Sequence, residues 1–242
     1  MITSVDNPRV KDVLRLRKAR ARRADGLFIA EGPREVQRAR AAGLTIRATY
    51  FAPNLIEWDD GDEVDERVLR KMSYRAEPEG VLAVVEIPQR TLPDDSSLLL
   101  VAVGIEKPGN LGAMARTADA AGADALLVGD AECDPWNPNA IRASTGSVFS
   151  LPIIQATITD AAALPHTKVA AALGANRKHT VVDYTGPTAF LIGAEDDGLP
   201  NPWRNLADVT VEIPMHARTA DSLNASAAAA VLLFEADRQR RG

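Results

Sequence analysis

Short apolar runs alternate with amphipathic or alanine-rich stretches from residue 98 onward. Apolar runs without polar alternation predict strands that are buried on both faces, and stretches with helical periodicity predict helices. The predicted strands are residues 98–103, 125–128, 169–173, 189–192 and 209–213, and the predicted helices are residues 112–121, around 140, around 161, 202–206 and 225–240. This alternation predicts a parallel sheet that is covered by helices on both faces.

The pattern of apolar and polar positions in residues 1–90 predicts a smaller α/β domain. A helix follows the turn at Asn7-Pro8, and we expect it to continue to Gly26. The other predicted elements are strands at residues 27–30, 46–51 and 80–86 and helices at residues 34–42 and within 59–70. The continuous apolar sequence of 80–86 indicates a buried parallel strand. Residues 87–97 contain two prolines and a polar cluster and predict a linker, so we expect domains at 1–90 and 97–242.

Charge is unevenly distributed along the 242 residues, whose formal net charge is −5. The first 40 residues contain eleven lysine and arginine residues and five acidic residues. A basic N-terminal segment on an otherwise acidic chain indicates a polyanionic partner. A solvated helix face is the alternative that charge alone leaves open.

Composition argues against several classes of protein. Cys133 is the only cysteine, so an intramolecular disulfide is impossible, and the three histidines lack metal-ligand spacing. The N-terminus has no apolar signal-peptide core, and no stretch approaches the roughly 18 apolar residues of a membrane span. We therefore expect a cytoplasmic protein with no metal and no membrane partner.

Polar residues with candidate chemistry follow three of the predicted strands. Asn110 comes after strand 98–103, Glu195 after strand 189–192, and both Ser222 and Asn224 after strand 209–213. One of the last two would suffice to cap the helix that begins at Ala225, so the pair exceeds what a cap requires. Ligands of open α/β sheets bind at the carboxyl ends of the strands, which predicts a site here. These loops contain neither the dinucleotide GxGxxG sequence nor the P-loop GK[ST] sequence.

The same loops carry three motifs. Residues 110–118 read NLGAMARTA, residues 193–199 read GAEDDGL, and Ile213-Pro214-Met215 is followed by Ser222-Leu223-Asn224. In this order they resemble the motifs of the SpoU/TrmH family of RNA ribose 2′-O-methyltransferases, a branch of the SPOUT class. Residues 2–11 and 28–34 resemble the family's substrate-binding domain, which is similar to ribosomal protein L30e, and residues 137–147 resemble another family segment. Ala217 departs from the pattern, since the family usually has glycine there.

The resemblance implies both a fold and a cofactor. The fold is α/β, with an N-terminal L30e-like α/β domain and a C-terminal α/β trefoil-knot (SPOUT) domain that has a mostly parallel sheet. The family binds S-adenosylmethionine within the knot and works as a homodimer. The cofactor-binding residues implied in this way are Leu173, Gly174, Gly193, Gly198, Leu199, Ile213, Met215 and Leu223.

The resemblance also implies Arg116 as the catalytic arginine, with Asn110, Glu195, Ser222 and Asn224 in the same site. Methyl transfer from a sulfonium to a ribose hydroxyl is an in-line displacement, so holding donor and acceptor close together supplies much of the catalysis. Arg116 is a candidate general base or a clamp for the adjacent phosphate and the developing alkoxide. The clamp suits its chemistry better, because a guanidinium is a poor proton acceptor at neutral pH.

Structured RNA is the substrate that the resemblance implies, and the L30e-like domain favours ribosomal RNA over transfer RNA. A transfer RNA methyltransferase and a non-catalytic RNA-binding protein of the same fold are the alternatives. The candidate RNA-binding residues are Arg9, Lys11, Arg15, Arg17, Lys18, Arg22, Arg23, Arg34 and Arg142.

Overall fold

The computed structural model describes residues 1–130, 132–216, 218–219 and 221–242. The chain divides into two compact units. The first comprises Met1–Gln89 and Trp136–Ser150, and the second comprises Arg90–Pro135 and Leu151–Gly242. The predicted limits of 1–90 and 97–242 do not anticipate that Trp136–Ser150 packs with the first unit, because no local pattern reveals such long-range packing. Ala217, where the sequence departs from the family pattern, lies outside the described residues.

The strands begin and end within two residues of the predicted limits. Three short strands, β3, β7 and β9, were not predicted. In chain order, the helices are α1 (Pro8–Arg15), α2 (Ala19–Asp25), α3 (Pro33–Ala41), α4 (Glu66–Met72), α5 (Pro108–Ala120), α6 (Pro138–Ser144), α7 (Ile158–Ala162), α8 (Asn201–Arg204) and α9 (Ala225–Arg241). The strands are β1 (Leu27–Glu31), β2 (Ile46–Phe51), β3 (Asp62–Glu63), β4 (Val81–Glu86), β5 (Leu98–Val103), β6 (Ala125–Gly129), β7 (Ile153–Gln155), β8 (Thr167–Ala171), β9 (Arg177–Lys178), β10 (Thr188–Ile192) and β11 (Val209–Glu212). Short 3₁₀ turns lie at Ser147–Phe149 and His179–Val181.

Within residues 1–130, 132–216, 218–219 and 221–242, two kinds of feature are absent. None of these helices is both long and apolar enough to cross a membrane. In the same part of the chain, no three histidine, cysteine, aspartate or glutamate side chains are grouped so that they could hold a metal ion.

The first unit contains a sheet with strand order β1-β4-β2-β3. Strand β4 lies between β1 and β2 and is antiparallel to both, so the parallel direction predicted for residues 80–86 is wrong. All residues of β4 except Glu86 are buried. A continuous apolar sequence indicates this burial, but burial on both faces does not determine the direction of a strand.

The single helix predicted from Asn7 to Gly26 is two helices. Asn7 caps α1 by accepting a hydrogen bond from the backbone N–H of Arg9 at 2.9 Å. After α1 ends, successive turns at residues 16–18 are closed by hydrogen bonds to carbonyls three residues earlier, and α2 then runs to Asp25. Gly26 ends α2 in the left-handed region with a φ of 66°.

Arg22 stabilises the break between α1 and α2. Its Nη1 donates hydrogen bonds to the carbonyl oxygens of Leu16 and Arg17, at 2.8 and 2.9 Å. Its side chain is only 1% exposed. The prediction that Arg22 binds RNA is therefore wrong, because the guanidinium is buried and bonded to the backbone.

The second unit contains a sheet with strand order β7-β6-β5-β10-β8-β11-β9, and every neighbouring pair in it is parallel. This confirms the mostly parallel sheet that the alternating pattern predicts. Strands β5, β6 and β10 are buried at every position, as expected for the centre of a covered sheet. Helices α5 and α9 pack against each other, and each contacts the central strands.

Strands β5, β10, β8 and β11 are consecutive in this order. Because parallel strands end at the same edge, the segments that follow them leave the sheet on one side. The fold therefore gathers the three motif loops and the turn after β8 at that edge.

Candidate functional site

A cavity of about 290 Å³ lies where β8, β10 and β11 end. Its walls are apolar for the most part, with Ser222, Arg204 and the acidic residues of the loop after β10 as polar groups. This combination is typical of a small-molecule site. The predicted cofactor-binding residues that line the cavity are Leu173, Gly193, Gly198, Leu199, Ile213, Met215 and Leu223.

Gly174 is the predicted cofactor residue that does not line this cavity. Its backbone N–H donates a hydrogen bond to Glu212 Oε1 at 3.3 Å, and its φ of 69° lies in the left-handed region. Leu173, directly before it, does line the cavity although it is 64% exposed. Gly174 therefore shapes the turn after β8, and the adjacent leucine forms the wall.

The loop after β10 closes on itself beside the cavity. The N–H groups of Ala194 and Gly198 each donate a hydrogen bond to the carbonyl of the other residue, both at 3.1 Å. A Cβ atom on Gly193 would overlap the carbonyl group of Gly198, and Gly198 has a φ of 65°, which favours glycine. The two glycines therefore determine the shape of the loop that presents Glu195.

Side chains from the three motif loops meet next to this cavity. Asn224 Nδ2 donates hydrogen bonds to Asn110 Oδ1, at 3.2 Å, and to Glu195 Oε1. Lys107 Nζ donates to the other oxygen of the same carboxylate, Glu195 Oε2, at 2.5 Å. We call Lys107, Asn110, Glu195 and Asn224 the polar cluster. The structure thus brings together three of the predicted catalytic residues and adds a lysine to them.

Lys107 is a residue that sequence reasoning missed. It lies three residues before Asn110 and occupies the N-cap position of α5. Its closeness to the first motif was the available signal, but a single lysine at the start of a helix has no pattern that distinguishes it from a solvated charge. Its partner Glu195 is 88 residues away in sequence, so the pair becomes visible only in the fold.

Asn224 has two roles in this arrangement. While its amide nitrogen holds Asn110 and Glu195, its Oδ1 accepts hydrogen bonds from Ser226 N at 2.9 Å and from Ser226 Oγ at 2.6 Å. The first of these bonds caps α9. The surplus of polar residues before this helix is thereby explained, because one asparagine joins the helix cap to the polar cluster and Ser222 faces the cavity.

Lys107 and Glu195 stabilise each other's charged form. The hydrogen bond from Lys107 is the main reason that the pKa of Glu195 lies below its ordinary value, although desolvation acts in the opposite direction. The same hydrogen bond raises the pKa of Lys107. Glu195 is therefore a carboxylate at neutral pH, and it accepts hydrogen bonds in the polar cluster.

Arg116 does not join the polar cluster. It is exposed on α5, six residues after Asn110, which corresponds to about 9 Å along a helix and about 120° around it. Among the described residues, no hydrogen bond or ion pair holds its guanidinium. Arg116 is thus accessible to a ligand from outside this chain.

The predicted RNA-binding residues other than Arg22 differ in how they are held. Four of them form ion pairs: Arg9 with Asp62 at 2.7 Å, Arg15 with Asp25 at 2.7 Å, Arg34 with Glu35 at 2.6 Å and Lys11 with Asp6 at 3.3 Å. Arg17 donates to the carbonyl oxygens of Lys71, at 2.9 Å, and Ser73, and Arg142 donates to Asn139 Oδ1 at 2.7 Å. Lys18 and Arg23 are exposed, and no ion pair holds either of them within the described ranges. These last two are therefore exposed cations of the predicted set that no carboxylate among the described residues engages.

Comparison with protein-family models gives two matches. Residues 97–234 match the model of the SpoU rRNA Methylase family, and residues 7–83 match the MRM3-like substrate binding domain. The chain belongs to the SpoU rRNA methylase family. The family predicted from the three motifs is therefore confirmed, as is the two-part α/β fold class with its SPOUT domain.

Known SpoU proteins resemble this chain over most of its length. A 23S rRNA (uridine(2479)-2′-O)-methyltransferase from Streptomyces viridochromogenes is 41% identical over 230 residues, which cover 88% of this chain and 76% of that protein. A crystal structure of an RNA 2′-O ribose methyltransferase superimposes with a TM-score of 0.86 at 39% identity and covers 100% of this chain and 99% of its own. A structure of an S-adenosylmethionine-bound rRNA methyltransferase from Sinorhizobium meliloti gives a TM-score of 0.88 at 32% identity. The superposition covers 98% of this chain and 97% of that one.

Proposed function

We propose that this protein is a methyltransferase that uses S-adenosylmethionine to methylate a ribose 2′-hydroxyl in ribosomal RNA. The observation that carries the proposal is the position of Glu195. This residue lines the 290 Å³ cavity and also accepts a hydrogen bond from Asn224 in the polar cluster. A cofactor site and a set of polar groups able to orient a hydroxyl are thus adjacent, as a transfer between two bound molecules requires.

The residues that line the cavity suit S-adenosylmethionine in both polarity and charge. Leu199, Ile213 and Leu223 offer apolar walls to the adenosine, and the carboxylates of Asp196 and Asp197 complement the positive charge of the ligand. When bound, this cofactor supplies an electrophilic methyl group on a sulfonium sulfur. The residues that would hold it are the seven predicted ones that line the cavity, and Gly174 shapes the turn beside them.

The polar residues have distinct roles in the proposed reaction. Asn110 and Asn224 orient the ribose hydroxyl, Ser222 faces the cavity where the hydroxyl meets the cofactor, and Glu195 fixes the amide of Asn224. Arg116, which is exposed and unbonded among the described residues, binds the adjacent RNA phosphate and stabilises the developing alkoxide. Catalysis in this scheme depends on positioning and charge, with no metal ion.

The proposal includes a homodimer. Its support is an exposed apolar strip on α9, where Val231 is 36% exposed and Phe234 is 46% exposed, with exposed Ala227 one turn before Val231. Residues at this spacing lie on one face of a helix and are typical of a packing surface. A second copy of this chain would cover the strip.

The first 90 residues form the RNA-binding part of the proposed enzyme. The match of residues 7–83 to a substrate binding domain supports this role, and the accessible cations Lys18 and Arg23 would bind phosphates without selecting sequence. Ribosomal RNA is favoured over transfer RNA because the Streptomyces relative is named for 23S rRNA. Such a substrate places the enzyme in the cytoplasm.

Transfer of a radiolabelled methyl group tests the proposal directly. Purified protein, S-adenosylmethionine labelled on its methyl group and total RNA from a strain that lacks the enzyme should give label in ribosomal RNA at a ribose 2′-oxygen. Arg116→Ala should abolish the label, whereas Arg177→Ala, which removes an exposed arginine from β9, should retain it. Label in transfer RNA instead would identify transfer RNA as the substrate. If the protein binds RNA but transfers no label, and calorimetry detects no binding of S-adenosylmethionine, it is a non-catalytic RNA-binding protein.

A further inference from the structure

A second, smaller cavity of about 50 Å³ adjoins the polar cluster. The loop between β5 and α5 lines one side of it with Ile105, Glu106, Lys107 and Asn110. The other side is formed by residues 194–197, which also line the 290 Å³ cavity. The loop that carries Glu195 therefore separates two cavities, and its position affects both.

Other carboxylates lie close to Glu195 in this loop. Its side chain is 19% exposed, and the small cavity next to it is lined by three more acids, Glu106, Asp196 and Asp197. Lys107 is the cation among the residues that line this cavity. Without a nearby cation, a largely buried carboxylate beside other carboxylates is driven to protonate or to move towards solvent.

The two oxygens of Glu195 are held by different donors. Oε1 accepts from Asn224 Nδ2, and Oε2 accepts from Lys107 Nζ at 2.5 Å. A carboxylate held at both ends has a defined orientation, so the ion pair on one side fixes the acceptor on the other. Asn224 in turn contacts Asn110 and caps α9. The lysine is thus connected through one carboxylate to the residues proposed to orient the ribose hydroxyl.

We propose that Lys107 is a positioning residue for methyl transfer, which holds Glu195 ionised and oriented so that Glu195 fixes the amide of Asn224. This inference rests on the proposed function for its catalytic consequence. The effect of Lys107 on the ionisation of Glu195 does not depend on that function and can be measured without RNA. The direction of the Glu195 pKa, which Lys107 lowers, agrees with the geometry.

Removal of the ammonium should affect turnover more than binding. In Lys107→Met the carboxylate loses its cation, so kcat should fall by up to about a hundredfold, as expected when reacting groups are misplaced, with KM for RNA nearly unchanged. The acidic limb of the kcat profile should move to higher pH, because the pKa of Glu195 rises. Lys107→Arg should restore most of the activity, and Lys178→Met, which removes an exposed lysine from β9, should change neither parameter.

A double-mutant comparison tests whether Lys107 acts through Glu195. Glu195→Gln should lower kcat, and adding Lys107→Met to Glu195→Gln should cost little more, since the two changes remove one interaction. Additive losses would overturn the proposal. So would a lower salt dependence of RNA binding in Lys107→Met with an unshifted pH profile, because that result identifies Lys107 as a phosphate contact.

Titration of the Glu195 carboxyl by NMR separates this inference from the proposed function. In protein with ¹³C-labelled glutamate, the Glu195 pKa should be higher in Lys107→Met than in the parent protein, and Lys178→Met should leave it unchanged. An unchanged pKa in Lys107→Met overturns the positioning role even in an active enzyme. Absence of methyl transfer by the parent protein, combined with the expected pKa rise, would instead remove the proposed function and leave the link between Lys107 and Glu195 established.

Discussion

Asn224 Nδ2 lies 3.2 Å from Asn110 Oδ1, and this hydrogen bond joins residues that are 114 positions apart in the sequence. Asn110 is in the first turn of α5 and Asn224 caps α9, so the bond connects the starts of two helices that pack together. Glu195 accepts from the same amide of Asn224. The orientation of the candidate catalytic amides therefore depends on the correct packing of both helices.

Asn224→Ala should reduce activity far more than stability. Loss of a helix cap costs about 1 kcal/mol, but this change also removes the donor that holds Asn110 and Glu195. We expect a loss of methyl transfer of at least about tenfold, with a thermal midpoint lowered by a few degrees. Thr157→Ala is the matched control, because Thr157 caps α7 in the same unit. It should lower the midpoint similarly and leave methyl transfer intact; equal activity losses in both variants would show that Asn224 acts only as a cap.

Gly193→Ala should abolish cofactor binding. The added Cβ would overlap the carbonyl group of Gly198, so the loop of residues 193–199 would have to move and the cavity wall with it. Gly186→Ala is the control, since a Cβ there meets no atom within 4 Å and Gly186 has no positive φ. Calorimetry with S-adenosylmethionine should give normal affinity for the control and no measurable binding for Gly193→Ala. Normal affinity in both would show that this loop is not part of the cofactor site.

Arg22→Met and Arg23→Met should separate a structural arginine from one that binds RNA. Arg22 is buried and donates to two backbone carbonyls, so its replacement should cost at least about 1–3 kcal/mol of unfolding free energy. Arg23 is exposed, and its replacement should change stability by less than about 0.5 kcal/mol. If Arg23 contacts a phosphate, its loss should lower the slope of log affinity against log salt by about 0.7–0.9. An unchanged slope would mean that Arg23 is a solvated charge.

Glu235→Gln should remove a pH-dependent contribution to stability near the end of α9. Two hydrogen bonds, the stronger effect coming from Arg238 and the weaker from Gln239, lower the pKa of Glu235 to about 2. A lowered folded-state pKa stabilises the protein above the ordinary glutamate pKa of about 4.3, and the stabilisation is lost as the pH falls towards 2. Chemical unfolding should therefore find Glu235→Gln less stable than the parent at pH 6, with a difference that shrinks between about pH 4 and pH 2. A difference independent of pH would contradict this assignment.

Local sequence was sufficient to predict the features that local interactions produce. The start of α9 follows from Asn224 and the alanine-rich segment after it, and the buried strands β5 and β10 follow from continuous apolar runs. The positions of Asn110, Glu195 and Asn224 at the ends of three strands predicted one shared site, because parallel strands end at one edge. The order of the strands and the contact between the asparagines were not accessible in this way.

Other features depend on residues that are distant in sequence or on packing in three dimensions. The direction of β4 depends on how the chain returns to the sheet, so its apolar sequence gave the wrong prediction. In the sequence, nothing distinguishes Arg22 from its exposed neighbour Arg23. Arg22 is buried because its guanidinium bonds to the backbone at the break between α1 and α2. Lys107 gained a role through Glu195, a partner supplied by a different loop. In each of these cases the deciding interaction leaves no periodic signal in the sequence.

The strand order of the second unit constrains when this protein can fold. Strand β10 lies between β5 and β8, although both of those strands leave the ribosome before it. A nascent chain that ends before Thr188 therefore lacks the strand that joins the two halves of the sheet, and β8 has to wait for its neighbour instead of pairing with β5. Such dependence on late, non-local pairing is typical of slow folding. Synthesis and folding of the sheet are thus coupled, and the proposed methyl-transfer site can form only after the ribosome has made the last of the three motif loops.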